Sequence, residues 1–263
     1  DGINGGEGND SITGTMGTSP TLSPADEING GGGTDTLTIS STGTTNTNAA
    51  VTMTGVENIV IADSAGTKTT IDALQFSGVE KISIQGSTGT ETQIDNVGSI
   101  VDLELISNIG SGDIVDLNYS TTATTGTGTT QNISTNTSAQ TLELAGVETA
   151  AITASGTAST IILTDTSSTD VLDTITVAGS ADLTLTGTGS VDVSSVSAAG
   201  YTGDLTLDVS AAAATSTTVT GGSGDDSINI GAITSADTVT GGDGTDTIVT
   251  AAAVTVANAA GVS

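Results

Sequence analysis

An eight-residue motif, Gly-Gly-x-Gly-x-Asp-x-(Ile/Leu), occurs four times and constrains the fold more than any other feature of the sequence. Its glycines permit positive φ angles, so a tight turn can direct several carbonyl oxygens inward. The aspartate adds a carboxylate, and the aliphatic residue begins a strand beneath the turn. Hard oxygen ligands of this kind suit Ca²⁺. The four copies begin at Gly5, Gly30, Gly221 and Gly241.

The four copies form two pairs with different spacings. Gly221 and Gly241 are closer together in the sequence than Gly5 and Gly30 are. Two prolines mark the segment between the first two copies as an inserted loop, which we expect to bulge outward because proline cannot donate to a strand ladder. The alternative is that the motif supplies only turns between strands.

The middle of the chain is rich in Thr, Ser, Ala and Gly and contains many short apolar alternations, such as Leu103-Glu104-Leu105 and Leu183-Thr184-Leu185. Alternation of this kind predicts short strands with every second side chain inward. A Gly-Val-Glu motif recurs from Gly55, Gly78 and Gly146, and its first two copies set the period of the repeat. A period of roughly 22 to 23 residues with two or three short strands predicts the coils of a parallel β-helix.

The predicted fold is therefore all-β, an elongated right-handed parallel β-helix or β-roll solenoid with calcium turns near both ends. We predict three regions. Residues 1–37 hold the first calcium turns with the inserted proline loop, residues 38–220 form a β-helical spacer, and residues 221–263 hold the second calcium block and the start of a further repeat unit. We expect the chain to be a window from a longer polypeptide.

The charge balance excludes several classes of function. The chain has 30 acidic residues, two lysines, no arginine and no histidine, which gives a net charge of −28. Without a basic patch we expect no nucleic-acid partner. No apolar run approaches the roughly 20 residues that span a bilayer, so we also expect no membrane insertion. The lack of cysteine excludes disulfides and thiolate sites, and the lack of histidine disfavours zinc.

Catalysis has little support in the sequence. The chain has no histidine or cysteine for acid/base or nucleophilic chemistry and no arginine to stabilise an oxyanion or phosphate, so we predict that it is not an enzyme and has no catalytic residues. A carboxylate-based enzyme acting on polysaccharide is the remaining alternative. Such enzymes on a β-helix use basic and aromatic groups in the cleft, and this chain has only three aromatic residues.

Two other sets of polar residues have a structural explanation. Glu57, Glu80 and Glu148 of the Gly-Val-Glu motif could form a carboxylate row for ions or acid/base chemistry, but a solvated turn residue capping each strand is the simpler interpretation. Rows of Thr and Ser could carry glycans or bind ice. The high β propensity of Thr explains them equally well, and we find no Thr-x-Thr pattern in step with the period of the Gly-Val-Glu motif.

The glycine-rich motif resembles the calcium-binding nonapeptide of RTX proteins. Leu144-Ala145-Gly146-Val147-Glu148-Thr149, the copy that begins at Gly241 and the surrounding Thr/Ala/Ser-rich sequence are similar to bacterial RTX-type surface-layer proteins. That resemblance implies secretion by a type I route, folding on Ca²⁺ outside the cell, and self-assembly into a surface layer (S-layer) on the cell surface.

The resemblance also implies a set of calcium ligands. Four aspartates would supply carboxylates, and glycines at the second and fourth motif positions would supply carbonyl oxygens. The residues are Asp10, Asp35, Asp226, Asp246, Gly6, Gly8, Gly31, Gly33, Gly222, Gly224, Gly242 and Gly244. Asp26 and Asp237 occupy the aspartate position of degenerate repeats and are further candidates.

The expected function is that of a structural, extracellular calcium-binding protein that assembles with copies of itself into a surface layer or filament. Calcium met after export would neutralise the acidic turns, so that binding drives folding and docking. The alternative is the repeat stalk of a secreted RTX adhesin, whose ligand-binding head would lie outside these residues. Cell-surface polysaccharide is a further expected partner, contacted through such outside regions.

Overall fold

The computed structural model describes residues 1–42, 48–49, 51–86, 90–126, 128–165, 172–189, 191–250 and 259–260. Close Cα approaches group the chain into two units, Asp1–Gly126 and Thr127–Ser263. The described residues contain strands and turns but no helix, and hence no helix that could cross a membrane. The predicted all-β parallel solenoid is confirmed. The predicted boundaries at residues 37 and 220 stay a prediction.

The first unit is built from parallel strands joined by short turns. Its strands are β1 (Gly2–Glu7), β2 (Ser11–Gly17), β3 (Glu27–Gly32), β4 (Thr36–Thr42), β5 (Asn48–Ala49), β6 (Thr52–Thr54), β7 (Asn58–Asp63), β8 (Thr69–Asp72), β9 (Lys81–Gln85), β10 (Glu91–Val97) and β11 (Asp102–Tyr119). Each strand pairs with the equivalent strand of the next coil, in the series β1-β3-β6, β2-β4-β7-β9-β11 and β5-β8-β10-β11. Coils of the predicted length are thus stacked in register.

The second unit repeats this construction with two series of strands. Its strands are β12 (Thr130–Leu144), β13 (Thr149–Ala154), β14 (Ser159–Asp165), β15 (Thr174–Gly179), β16 (Leu183–Gly189), β17 (Val193–Ser197), β18 (Leu205–Asp208), β19 (Ala213–Thr220), β20 (Ser227–Asn229), β21 (Thr238–Thr240), β22 (Thr247–Val249) and β23 (Ala259–Ala260). The first half of β12 begins the series β13-β15-β17-β19-β21-β23, and its second half begins β14-β16-β18-β20-β22. Every pairing is parallel.

Columns of aliphatic side chains form the core of each unit. Alternate residues of a strand face inward, and the parallel register places each one directly over its equivalent in the next coil. Full burial of such a side chain contributes about 1.5 to 3 kcal/mol. The clearest columns, with every member at most 1% exposed, are Leu37-Ile59-Ile82-Leu103 and Ile39-Ile61-Ile84-Leu105 in the first unit and Ile161-Leu185-Leu207-Ile228 in the second.

A single methyl group removed from one of these columns should lower stability measurably. We expect Ile84→Val to reduce the free energy of unfolding by about 1 kcal/mol, because the small void cannot be refilled in a stacked coil. Leu74 is 62% exposed, so the larger truncation Leu74→Ala should change it by less than about 0.5 kcal/mol. Urea unfolding at saturating Ca²⁺ measures both. Equal losses for the two variants would contradict the assigned core.

The interior of the first unit also contains a carboxylate that the sequence did not indicate. Asp63 is fully buried and accepts hydrogen bonds from the Ala65 amide at 2.9 Å and the Thr92 hydroxyl at 3.0 Å. Burial raises the pKa of the Asp63 carboxyl, because these hydrogen bonds only partly offset the lost hydration. The charged form therefore destabilises the fold at neutral pH, and this penalty disappears as the pH falls through the folded-state pKa.

The proline-containing connection between β2 and β3 does not simply bulge outward as expected. Leu22 turns back and is only 6% exposed. Its side chain occupies the space beside Gly14, where an added Cβ would lie 2.3 Å from Leu22 Cγ. The Leu22 amide donates to the Thr15 carbonyl at 3.1 Å. The inserted segment thus adds an apolar side chain to the first coil.

The outer surface of one sheet in the second unit carries two parallel columns of hydroxyl side chains, here called the Thr/Ser face. The columns are Thr174-Ser195-Thr218-Thr238 and Thr176-Ser197-Thr220-Thr240. All eight residues are half-buried or exposed, and none is ionisable. A Thr/Ser-x-Thr/Ser pattern therefore exists at one coil position, although it is not in step with the period of the Gly-Val-Glu motif. It escaped detection because the step between paired residues differs from one coil to the next.

Candidate metal centre

The four glycine-rich turns stack as two pairs, each with its members one coil apart. The strands that follow the first pair are in register with Ser11 opposite Thr36. Those that follow the second pair place Ser227 opposite Thr247. The wider and the narrower sequence spacing thus produce the same arrangement, and the inserted loop does not disturb the first pair.

Carbonyl oxygens of one turn point at the glycines of the next. A Cβ added to Gly31 would lie 1.9 Å from the Gly6 carbonyl oxygen, and one added to Gly242 would lie 2.0 Å from that of Gly222. Both Gly31 and Gly242 also have positive φ angles, 108° and 114°. Only glycine can occupy these positions, because any side chain would meet backbone and adopt a strained conformation. The same close contact occurs at the fourth motif position. A Cβ on Gly33 would meet the Gly8 carbonyl oxygen, and a Cβ on Gly244 would meet that of Gly224.

The aspartates of each pair are linked through the backbone. Asp35 Oδ1 accepts a hydrogen bond from the Asp10 amide at 2.7 Å, and Asp246 Oδ1 accepts one from the Asp226 amide at 3.0 Å. The Oδ2 atoms of these aspartates differ in their hydrogen bonding. Asp10 Oδ2, Asp35 Oδ2 and Asp246 Oδ2 are buried and have no hydrogen-bond partner among the described residues. Asp226 Oδ2 accepts the Gly222 amide at 2.7 Å.

These unpartnered oxygens fit a bound cation. A buried carboxylate oxygen without a donor is destabilising, and such atoms are rare in folded proteins. In each pair a carboxylate oxygen and a carbonyl oxygen both lie close to the point that a Cβ on the first glycine of the motif would occupy. A Cβ on Gly5 would lie 2.6 Å from the unpartnered Asp10 Oδ2 and 2.3 Å from the Gly30 oxygen. A Cβ on Gly221 would lie 1.8 Å from the Gly241 oxygen and 2.6 Å from Asp226 Oδ2, which already accepts the Gly222 amide. In this second pair the unpartnered oxygen is Asp246 Oδ2, which would lie 2.1 Å from a Cβ on Gly241. Carboxylate and carbonyl oxygens together form a donor set that suits Ca²⁺.

The comparison with protein families agrees with this geometry. The family model for the RTX calcium-binding nonapeptide repeat matches the chain in four copies, at residues 1–18, 25–38, 215–232 and 234–252. The chain contains four RTX calcium-binding repeats. Each matched segment contains one of the four stacked turns, and Ca²⁺ is the cofactor of such repeats. RTX repeat proteins are typically secreted. No curated protein and no solved structure was found to match the chain.

Backbone oxygens are available as ligands at each RTX pair. Among the described residues, no group of three or more acidic side chains is gathered in a way that could hold a metal ion by itself. Beside Gly5 and Gly221 a carboxylate oxygen of one turn lies next to a carbonyl oxygen of the neighbouring turn. Such a site exists only when two coils are stacked, which couples ion binding to folding.

The electrostatic environment of the second RTX pair favours a cation. Burial raises the pKa of Asp226, and the nearby charges of Asp246 and Asp204 act in the same direction. A further row of carboxylates runs beside the pair. Asp204 and Asp225 each donate their backbone amide to the aspartate one coil earlier, at 3.1 Å to Asp182 Oδ1 and 2.8 Å to Asp204 Oδ1. This row was not predicted from the sequence, although the pair Gly203-Asp204 repeats part of the RTX motif.

Asp26 and Asp237, the aspartates of the degenerate repeats, do not lie in the RTX turns. Asp237 directly precedes β21, whereas Asp226 and Asp246 precede β20 and β22 of the other series. Asp237 accepts amides of Thr217 at 2.8 Å and Thr234 at 2.7 Å. Asp26 precedes β3 and likewise closes a Ser-x-x-Asp turn, with the Ser23 amide at 2.7 Å. Both carboxylates are occupied by protein donors, so their local role is to close turns.

Proposed function

We propose that the chain is a structural, extracellular calcium-binding solenoid of the cell surface, and that copies of it assemble into a layer or filament. The observation that carries the calcium role is the set of buried, donor-free oxygens on Asp10, Asp35 and Asp246. These atoms are destabilising without a cation and become ligands with one. Ion binding is then part of the folding free energy.

The net charge gives calcium a second effect. A chain with a charge of −28 repels itself and its copies at neutral pH. Calcium bound within the turns lowers that charge where the coils approach one another. Folding and docking would thus both follow the rise in calcium concentration that accompanies export.

The Thr/Ser face supports the assembly part of the proposal. Its eight residues carry no ionisable group, which is unusual on so acidic a chain. A second copy can approach this face without placing like charges opposite each other, and β-branched hydroxyl residues give a flat surface for packing. We propose this face as the contact between copies.

Light scattering and negative-stain electron microscopy test the assembly. We expect regular sheets or filaments in millimolar Ca²⁺ and dispersed chains in EGTA. Thr218→Glu, in the centre of the Thr/Ser face, should raise the protein concentration needed for assembly by at least about tenfold, because it brings like charges together. Thr184→Glu lies on the outer surface of the other series of strands and serves as the matched control.

Three outcomes would contradict the proposal. Equal assembly in EGTA would show that calcium is not the trigger. Equal inhibition by Thr218→Glu and Thr184→Glu would remove the Thr/Ser face from the contact. Single, dispersed chains at every protein concentration in Ca²⁺ would favour the stalk of a secreted RTX adhesin instead.

A further inference from the structure

A turn outside the matched RTX segments stacks on the first RTX pair as a third member. This turn, Gly55-Val56-Glu57, connects β6 to β7. Because Asn58 lies opposite Thr36 in the sheet, Glu57 occupies the position of Asp35 one coil further on. Glu57 Oε2 accepts the Asp35 amide at 2.7 Å, just as Asp35 Oδ1 accepts the Asp10 amide at 2.7 Å.

The third turn is a shortened form of the RTX turn. Before the turn Asn29 pairs with Thr54, and after it Thr36 pairs with Asn58. Fewer residues therefore separate Thr54 from Asn58 than separate Asn29 from Thr36. The missing residues are those between the first glycine of the turn and its acidic residue. The extra methylene of glutamate, compared with aspartate, restores the reach of the carboxylate to the neighbouring coil.

The space between the second and third turns has the same oxygen geometry as the RTX pairs. A Cβ added to Gly30 would lie 2.5 Å from Asp35 Oδ2 and 1.8 Å from the Gly55 carbonyl oxygen. The corresponding spaces beside Gly5 and Gly221 are bordered in the same way, each by the aspartate of its own turn and a carbonyl one coil further on.

The environment of the Asp35 side chain indicates that this space binds a ligand. Its side chain is fully buried, and within the part of the chain that the structure describes its Oδ2 atom has no hydrogen-bond partner. A strand-capping role explains why Glu57 Oε2 contacts the Asp35 amide, but it does not explain the unpartnered Asp35 oxygen. Glu57 Oε1 accepts no hydrogen bond from the described residues, so a second carboxylate oxygen is available next to the same turn.

We propose that this space is an additional Ca²⁺ site, formed by Asp35 Oδ2, the Gly55 carbonyl oxygen and the Glu57 carboxylate. The proposal rests on the calcium role of the RTX turns. The first unit then holds one ion between its two RTX turns and another between the second RTX turn and the Gly-Val-Glu turn. Asp35 contacts both neighbouring coils, so the two ions link three successive coils.

Glu57→Gln tests the site with little change in shape, because the amide oxygen can still accept the Asp35 amide. Equilibrium dialysis of the full chain with radioactive calcium should show one bound ion fewer than in the unchanged chain, or one site weakened by at least about tenfold. Glu80→Gln is the matched control, since Glu80 belongs to the next Gly-Val-Glu motif but is exposed and has no such buried partner. It should leave the number of bound ions unchanged.

Two further variants separate the failure of this site from the failure of the calcium role. Asp10→Asn and Asp226→Asn should each reduce calcium binding through an RTX pair, and far-UV circular dichroism at saturating Ca²⁺ checks that every variant is folded. If these two variants lose calcium and Glu57→Gln does not, the additional site is wrong and the calcium role stands. If none of the three loses calcium, both are wrong.

Discussion

Removal of Ca²⁺ with EGTA should abolish the cooperative β-solenoid signal or lower its melting temperature strongly. An ion present at a hundredfold excess over its dissociation constant stabilises the folded state by about 2.7 kcal/mol. For a unit of this size that corresponds to a shift of roughly 10 °C for each bound ion. The effect should exceed that of any single substitution, because the proposed ions would be lost together from Asp10 Oδ2, Asp35 Oδ2 and Asp246 Oδ2, which have no hydrogen-bond partner among the described residues.

Thermal melts followed by far-UV circular dichroism measure this shift. Sodium chloride at equal ionic strength is the control for screening of the net charge, and Mg²⁺ is the control for divalent charge. Mg²⁺ should be less effective, because it requires near-octahedral geometry and retains its waters, whereas Ca²⁺ accepts an irregular shell of carbonyl oxygens. A melting temperature that is the same in EGTA and Ca²⁺, or is raised equally by sodium, would contradict the proposed sites.

The sequence was sufficient to predict the fold and the position of the RTX turns, because both depend on short local patterns. Alternating aliphatic residues and a coil-length repeat predict stacked parallel strands, and the columns through Leu37 and Ile39 confirm them. Four copies of a glycine motif identify the turns even though the members of the first pair are more widely separated in the sequence than those of the second.

Features that depend on register between coils were not visible in the sequence. Coil length varies, since Thr149 pairs with Thr130 on one side and with the more distant Thr174 on the other, so a fixed period misaligns equivalent positions. The Thr/Ser face was missed for this reason. For a related reason a capping role was favoured for Glu57 over ion binding, because its turn is shorter and has lost the glycine pattern while keeping the stacking.

Hydrogen bonds between side chains that are far apart in the sequence could not be predicted either. Asp63 accepts a hydrogen bond from Thr92 of a later strand. No residue near Asp63 in the sequence indicates that this carboxylate is buried. Asp26 and Asp237 show the opposite case. Their positions suggested ligands, but a Ser or Thr three residues earlier already indicates a turn-closing hydrogen bond.

Gly221→Ala should destabilise the second unit by about 3 kcal/mol and weaken its calcium site. The added methyl group would lie 1.8 Å from the Gly241 carbonyl oxygen and 2.6 Å from Asp226 Oδ2. Neither atom can move freely, because the first belongs to the stacked backbone of the next coil and the second accepts the Gly222 amide. Overpacking of this kind costs about 1 to 3 kcal/mol or more, and here it also occupies the space bordered by two oxygen ligands.

Gly200→Ala is the matched control for this substitution. Gly200 lies in the turn one coil earlier, in which Leu205 replaces the aspartate. An added Cβ there meets nothing within 4 Å, and its φ angle is not positive. Because alanine restricts the unfolded chain, Gly200→Ala should leave stability unchanged or raise it by up to about 1 kcal/mol. Urea unfolding and calcium titration of both variants give the comparison, and equal behaviour of the two would show that close stacking of the RTX turns does not create the site.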